Sequence, residues 1–141
     1  MYRVLIPVDT SEERSVQQAK YVASLPDAVE SVEAYLLFIF TEEGKDLPKE
    51  FEQFKSASRI GSVRRAREQL EDNDVDVTVL DKSGDVEEGD ILATAEEYDV
   101  DSIVLGGRSR SPVGKAVFGS VTQSVILNAD RPVVVTGSAQ A

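Results

Sequence analysis

The chain alternates short apolar runs with longer amphipathic segments. Each run is nearly continuous in Val, Ile, Leu and aromatic residues, which is typical of strands in a parallel sheet that is covered on both faces. The pattern predicts five strands, at Tyr2–Val8, Val32–Phe40, Val75–Leu80, Ser102–Leu105 and Pro132–Thr136.

The segment after the first strand, Thr10–Leu25, predicts a helix with a defined start. Thr10 stands three residues before Glu13, which is the spacing of a capping box. The predicted apolar stripe of this helix consists of Val16, Ala19, Val22 and Ala23.

In three further segments the sequence predicts helices: Leu47–Glu71, Val86–Tyr98 and Ser120–Asn128. In the first and longest of them, Pro48 is suited to the first helical turn and Gly61 weakens the helix locally. The faces predicted to be buried are Phe51, Phe54, Ala57, Ile60, Val63 and Leu70 in the first, Ile91, Leu92 and Ala95 in the second, and Val121, Val125 and Leu127 in the third.

Strands and helices thus alternate as βαβαβαβαβ. The right-handed crossover rule turns this order into an open, doubly wound α/β sheet, which we expect to form one domain over residues 1–141. Ligands of such sheets bind beyond the carboxyl ends of the strands, where the strand order reverses. Three segments should meet there: Pro7–Asp9, Ile39–Phe40 and the glycine-rich stretch after Leu105.

The glycine-rich stretch, Gly106–Ile126, is the strongest candidate for a binding site. Glycines let main-chain N–H groups approach an anion, and a following helix N-terminus adds partial positive charge. Gly106 and Gly107 follow the fourth strand directly, and Gly119 precedes the last helix. Phosphate ligands would be main-chain N–H groups at Ser120, Val121 and Thr122, together with the Ser120 hydroxyl. The alternative is a plain surface loop followed by an ordinary N-cap.

Three cations within this stretch, Arg108, Arg110 and Lys115, invert the local charge of an acidic chain and favour an anionic ligand. The alternative is that they only offset acidic neighbours. The stretch is not a Walker loop, because Ser109 stands where its first glycine belongs and Ala116 follows Lys115; no GxGxxG dinucleotide motif occurs either.

The end of the first strand, Pro7, Val8 and Asp9, belongs to the same predicted edge. A carboxylate there can accept hydrogen bonds from a ribose, or it can cap the turn before the first helix, and the sequence leaves both roles of Asp9 open. The main chain near Ile39 could pair with a purine edge.

The composition of the chain limits the kinds of catalysis and ligands that are possible. The 141 residues carry 26 acidic and 15 basic side chains, a formal net charge of −11, and neither Cys nor His. This excludes thiol chemistry, disulfides and His-ligated metals, and the acidic surplus disfavours nucleic-acid binding. The surplus also leads us to hypothesise a halophilic source, whose salt would screen the self-repulsion. Without an export leader or a membrane-length apolar stretch, we expect a soluble, cytoplasmic protein with no membrane partner.

Five pieces of the chain, in this order, resemble the universal stress protein family: PVD with TSEE at Pro7–Glu13, GD at Gly84–Asp85, VLGGRSR at Val104–Arg110, GSVTQSVI at Gly119–Ile126 and RPVVVT at Arg131–Thr136. The resemblance covers essentially the whole chain. It implies a Rossmann-like, five-stranded parallel sheet of order 3-2-1-4-5, also called the adenine nucleotide alpha-hydrolase-like fold.

ATP-binding members of this family carry a glycine, two residues, a second glycine, nine residues, and then a glycine with Ser or Thr. Gly106, Gly119 and Ser120 match, whereas Ser109 replaces the second glycine with the spacing to Gly119 preserved. A side chain there narrows the room for phosphate, although Ser109, Arg108 and Arg110 can themselves donate to it. The resemblance implies ATP or another adenine nucleotide, with Mg²⁺ or Mn²⁺: ribose at Asp9, adenine at the main chain of Ile39, ribose and α-phosphate over Gly106, and β- and γ-phosphates at Gly119, Ser120 and Val121.

The last strand suggests a partner. Val133, Val134 and Val135 form a short apolar run without lysine, which would be aggregation-prone as an unpaired edge. Members of the resembled family commonly pair through this strand, so we expect a homodimer. The alternative is an edge covered by the chain's own tail.

These observations favour a binding module of the stress response over an enzyme. Nucleotide occupancy would change the loop between Gly107 and Phe118 and thereby alter contacts with a protein partner. Two alternatives stay open. One is slow ATP hydrolysis, although no acidic pair with metal-site spacing stands beside the loop. The other is a nucleotide-independent dimer whose loop cations meet an acidic partner.

Overall fold

The computed structural model of the protein describes residues 1–41, 59–84, 88–107 and 119–137. The strands are β1 (Tyr2–Pro7), β2 (Val32–Thr41), β3 (Asp76–Gly84), β4 (Ser102–Gly106) and β5 (Val133–Thr136). The helices are α1 (Glu12–Ala23), α2 (Ala28–Ser31), α3 (Gly61–Asp72), α4 (Glu88–Glu97) and α5 (Ser120–Asn128).

The five strands form one parallel sheet of order β3-β2-β1-β4-β5. The predicted fold class and strand order are therefore confirmed. The largest difference is in β3, which continues past the predicted Leu80 to Gly84 and stays paired with β2 as far as Thr41. The added residues are polar, and an edge strand tolerates polar residues because one of its sides has no neighbouring strand.

Helices cover both faces of the sheet. On one face, α1 and α3 pack through Ala19, Val22, Val63, Ala66 and Leu70 on alternate residues of the central strands, such as Val4 and Ile6 of β1. On the other face, α4 and α5 pack through Ile91, Ala95 and Val125 on the intervening residues, such as Leu5 of β1 and Ile103 of β4. The near-continuous apolar strands thus bury both sets of side chains, as a doubly wound sheet requires.

The first helix begins one residue later than the capping-box spacing predicts. Its N-cap is Ser11 rather than Thr10, and the Ser11 side chain accepts a hydrogen bond from the Arg14 main-chain N–H. The cause is the preceding turn, in which Asp9 Oδ1 accepts from the Ser11 main-chain N–H at 2.8 Å.

The predicted buried stripe of α1 also needs correction. Its buried residues are Ser15, Gln18, Ala19 and Val22, whereas Val16 and Ala23 are only half-buried. Two polar residues therefore replace two apolar ones on the inner face, and both of them hydrogen-bond main-chain carbonyls there.

Two details of the later helices differ as well. Leu127, predicted to be buried, is 74% exposed, because it lies about 200° around the helix from the buried Val125 at roughly 100° per residue. Gly61 is the first residue of α3 rather than a weak point within a longer helix. The predicted helical residues 47–58, 86 and 87 lie outside the described ranges. Among the described helices, none is long and apolar enough to cross a membrane.

Candidate functional site

The carboxyl edge of the sheet opens between β1 and β4. The register of β1 with β4 extends over Val4↔Ser102 and Leu5↔Ile103, whereas β1 pairs with β2 along its whole length, as far as Pro7. Beyond Leu5 the two strands part, at the position where the strand order reverses. This parting is the crevice in which doubly wound sheets bind ligands.

Gln18 of α1 spans this crevice. Its side-chain Nε2 donates to Pro7 O at 2.7 Å and to Val104 O at 3.0 Å, and the residue is only 2% exposed. The amide thereby satisfies two carbonyls that the ladder between β1 and β4 no longer pairs. Gln18 was not predicted from the sequence. The sequence feature that could have indicated it is a polar residue at a helical position of α1 that faces the sheet with the apolar residues.

The turn after β1 is held by several hydrogen bonds. Besides accepting from Ser11, the Asp9 carboxylate accepts through Oδ2 from Arg14 Nε at 3.1 Å and from Arg14 Nη2 at 2.9 Å. The Ser62 hydroxyl donates to Asp9 O. Asp9 thus makes the contacts of a turn residue, while its side chain stays 51% exposed at the mouth of the crevice.

A buried hydroxyl links this turn to the start of α3. Ser15 Oγ lies 2.8 Å from Ser62 O and 2.9 Å from Glu12 O, and it donates its single proton to one of the two carbonyls. Because Ser62 in turn contacts Asp9, the ends of β1, α1 and α3 are connected through polar contacts. Ser15 and Ser62 are both buried, and neither was predicted as a site residue.

Gly106 and Gly107, predicted as phosphate-binding glycines, each have a packing reason to lack a side chain. A Cβ on Gly106 would lie 3.1 Å from Gln18 Oε1 and 3.4 Å from Arg14 Cβ and Cδ. A Cβ on Gly107 would lie 2.3 Å from Thr136 O, the atom that accepts from the Gly107 main-chain N–H at 3.0 Å. Gly106 therefore lets α1 approach the end of β4, and Gly107 lets β5 approach the main chain that follows β4.

The N-terminus of α5 lies at the same edge, because α5 runs back along the sheet from the carboxyl end of β4. Gly119 is its N-cap, with φ −69° and ψ 162°, and as a glycine it has no side chain to cap the helix; the first turn contains no acidic residue. Val121 and Thr122 are half-buried. The N–H groups of this first turn are therefore placed to bind an anion.

The remaining predicted residues are distributed as follows. Pro7 ends β1 and is half-buried, Val8 follows the strand and is buried, and Ile39 is buried in β2 with Lys82 as its register partner on β3. Glu97 accepts from Lys82 Nζ at 2.6 Å, and this hydrogen bond raises the pKa of the lysine, so that Lys82 remains an ion-paired cation. Arg108, Ser109, Arg110 and Lys115 lie outside the described residues.

Carboxylates do not gather into a metal site in the parts of the chain that the structure describes. The charged groups described at this edge include Arg14, which is paired with Asp9, and the acids Glu12 and Glu13 in the first turn of α1, while the first turn of α5 carries no acid. The guanidinium of Arg14 and the N–H groups of α5 can bind a phosphorylated ligand.

The chain is similar to one protein family and to a curated protein. The model of the universal stress protein family matches residues 1–137. A universal stress protein from Mycolicibacterium smegmatis is 31% identical over 77 residues, which is 55% of this chain and 59% of that protein. The match thus spans less than two thirds of the curated relative.

Solved structures share the fold over almost their full length. A universal stress protein from Archaeoglobus fulgidus is 26% identical, with a TM-score of 0.76 over 97% of this chain and 99% of that one. Another structure from this organism, a complex with dAMP, is 21% identical, with a TM-score of 0.71 over 97% and 98%. A universal stress protein in complex with cAMP is 14% identical, with a TM-score of 0.70 over 98% of each chain.

Proposed function

The chain belongs to the universal stress protein family, and from that premise we propose that it binds an adenine nucleotide at the carboxyl edge of its sheet. The observation that carries the proposal is the crevice between β1 and β4, with the Asp9 carboxylate at its mouth and the N-terminus of α5, whose N-cap is Gly119, at the same edge. An exposed acceptor beside an anion-binding helix end matches the two halves of a nucleotide, which are a ribose with hydroxyl donors and a phosphate.

The ligand would span the edge from β2 to α5. Adenine would contact the main chain at Ile39, the ribose would hydrogen-bond Asp9, and the first phosphate would lie over Gly106. The further phosphates of ATP, with Mg²⁺ or Mn²⁺, would reach Gly119, Ser120 and Val121, with Gly107, Thr122 and the loop residues Arg108, Ser109 and Arg110 beside them. The complexes of two structural neighbours with dAMP and cAMP support an adenine nucleotide as the ligand class.

Isothermal titration calorimetry with AMP, ADP and ATP, with and without Mg²⁺, tests the proposal in a buffer of high KCl concentration. We expect saturable binding of adenine nucleotides and much weaker binding of GMP, because a main-chain contact at Ile39 would read the purine edge. Absence of binding by all three adenine nucleotides would contradict the proposal. Release of ADP or AMP during prolonged incubation with ATP would instead identify slow hydrolysis.

We further propose that two chains associate through β5. This strand is the edge of the sheet beyond β4, and its three valines are half-buried. Pro132 O and Thr136 O accept from β4, and alternate residues of a strand direct their main-chain groups to opposite sides. The N–H and C=O groups of Val133 and Val135 are therefore directed to the outer side of β5, in the orientation that antiparallel pairing with a second copy requires.

Light scattering coupled to size-exclusion chromatography measures this association. We expect twice the 15.4 kDa mass of one chain and a monomer for Val135→Pro, which removes one outward N–H while it keeps an apolar side chain. Leu127→Ser is the matched control, because it removes an exposed apolar side chain from α5 and leaves the strand intact. A wild-type monomer, or a Val135→Pro dimer, would count against pairing through β5.

A further inference from the structure

Arg14 is in contact with both sides of the crevice. Its guanidinium bonds Asp9 at the end of β1, and its Cβ and Cδ lie 3.4 Å from where a Cβ on Gly106 would stand, at the end of β4. These are the two positions that the ribose and the first phosphate would occupy in the proposed complex. The Arg14 side chain, which is 33% exposed, therefore borders both positions.

The local helix gives no reason for an arginine at this position. Arg14 is the third residue after the N-cap Ser11, where a capping box places Glu or Gln. A cation in the first turn also opposes the positive end of the helix dipole. Its ion pair with Asp9 joins two partly exposed side chains, and such pairs stabilise a fold only weakly.

The guanidinium keeps donors for a ligand. Of its five N–H groups, Nε–H and one N–H of Nη2 are directed to Asp9 Oδ2. The other three have no acceptor among the residues that the structure describes. A planar group with several N–H donors and a fixed charge is well suited to phosphate oxygens.

We propose that Arg14 is a nucleotide ligand that binds the 5′-phosphate next to the ribose, while Asp9 holds its guanidinium in place. The assignment rests on the proposed nucleotide site and specifies its ligand class. The site takes adenosine 5′-phosphates, with AMP sufficient, in preference to the nucleoside adenosine. Arg14 also offsets the repulsion that a chain of net charge −11 exerts on an anion.

Calorimetric titration of AMP and of adenosine into the wild type, Arg14→Gln and Arg67→Gln tests this assignment. Glutamine keeps the aliphatic stem against Gly106 and removes the charge. Arg67 is the matched control, because it forms a comparably exposed ion pair with Glu71 within α3. We expect Arg14→Gln to weaken AMP binding by about 10- to 100-fold, as loss of a hydrogen bond between charged groups does, with adenosine binding unchanged.

Two further measurements separate ligand contact from a structural role. The dependence of AMP affinity on KCl concentration should become shallower in Arg14→Gln, since a phosphate contact has been lost. Arg14→Lys, which keeps the charge without the fork, should give an intermediate AMP affinity, and it replaces Arg14→Gln if that variant does not fold.

The outcomes are distinguishable. An equal loss of AMP and adenosine binding in Arg14→Gln, or no loss of either, would overturn the role of Arg14 and leave nucleotide binding in place. A wild type that binds no adenine nucleotide would overturn both proposals. Arg67→Gln should bind AMP and adenosine as the wild type does. If Arg67→Gln also lost AMP affinity, the loss in Arg14→Gln would reflect the net charge of the protein and not a contact between Arg14 and phosphate.

Discussion

Two of the helices that start at the carboxyl edge of the sheet, α1 and α5, differ in how their N-termini are capped. At α1 the Ser11 side chain caps the helix, and Glu12 and Glu13 supply negative charge in the first turn. At α5 the N-cap residue is Gly119, which has no side chain to accept from the helix N–H groups, and the first turn has no acid. Among the described residues, side chains therefore satisfy the N-terminus of α1 and not that of α5.

The contrast bears on where an anion could bind. An acid in the first turn stabilises a helix, and α5, like α3, has no acid there. The first turn of α5 therefore lacks that stabilisation. A phosphate site at α5 would require this absence of a carboxylate.

Giving α5 the kind of end that α1 has should produce the largest effect. In Gly119→Asp the new carboxylate caps the helix, which we expect to raise the free energy of unfolding by up to about 1 kcal/mol. The same carboxylate would repel phosphate, and we expect ATP affinity to fall by about 100-fold, or ~2.7 kcal/mol. Urea denaturation and calorimetric titration measure the two quantities on one protein sample.

Gly119→Asp is a sharp test because stability should rise while ATP affinity falls. Gly119→Ser is the control, since it caps the helix without charge and should keep ATP binding. If Gly119→Asp gained stability and bound ATP as the wild type does, the N-terminus of α5 would not be where the phosphates bind.

The second largest effect is expected at Gln18, through which α1 is anchored to the sheet. Gln18→Met is similar in size but cannot donate to Pro7 O and Val104 O, so two buried carbonyls lose a partner. We expect the free energy of unfolding to fall by about 2 kcal/mol. Gln17→Met is the matched control on the half-buried flank of the same helix, where a change below about 0.5 kcal/mol is expected.

Chemical denaturation in urea measures both variants. If Gln18→Met were as stable as the wild type, water would be serving the two carbonyls, and the amide would not be what connects α1 to β1 and β4.

The fold could be predicted from the sequence because its signals are repetitive. Near-continuous apolar strands such as Val4–Ile6 and Ile103–Leu105 are buried on both faces, and each predicts a central parallel strand by itself. The polar end of β3 had no such signal, because it is defined by pairing with β2 rather than by its own pattern.

The site was less predictable for a physical reason. Glycines and a helix start are visible in the chain, so the sequence could propose this edge as the site. Which polar side chains fill the crevice depends on how α1 packs against the sheet, and Gln18 and Arg14 acquire their roles only when Pro7 and Gly106 are brought beside them. Likewise, the packing reasons for Gly106 and Gly107 come from partners far along the chain.

At the end of β1, Asp9→Asn separates the two roles that the sequence left open. Asparagine can still accept from the Ser11 N–H through its amide oxygen, but it loses the charge that attracts Arg14. We expect a change of less than about 1 kcal/mol in the free energy of unfolding, as for other partly exposed ion pairs. Adenosine affinity, which involves no phosphate, should fall by about tenfold because a neutral acceptor replaces a charged one toward the ribose. Unchanged adenosine affinity would leave Asp9 as a turn residue alone.

The smallest effect should come from making α1 resemble α5. Ser11→Gly gives both helices the same cap residue, and glycine in place of a capping serine costs only a few tenths of a kcal/mol, whereas Ser11→Ala should cost about 1 kcal/mol. Because Glu12 and Glu13 still follow, the bare end of α1 should not bind phosphate, and titration should still give one nucleotide per chain. A second equivalent of nucleotide bound to Ser11→Gly would mean that the cap closes α1 to anions. One equivalent would mean that removing the cap does not open α1 to anions, and that Glu12 and Glu13 remain as charges that repel them.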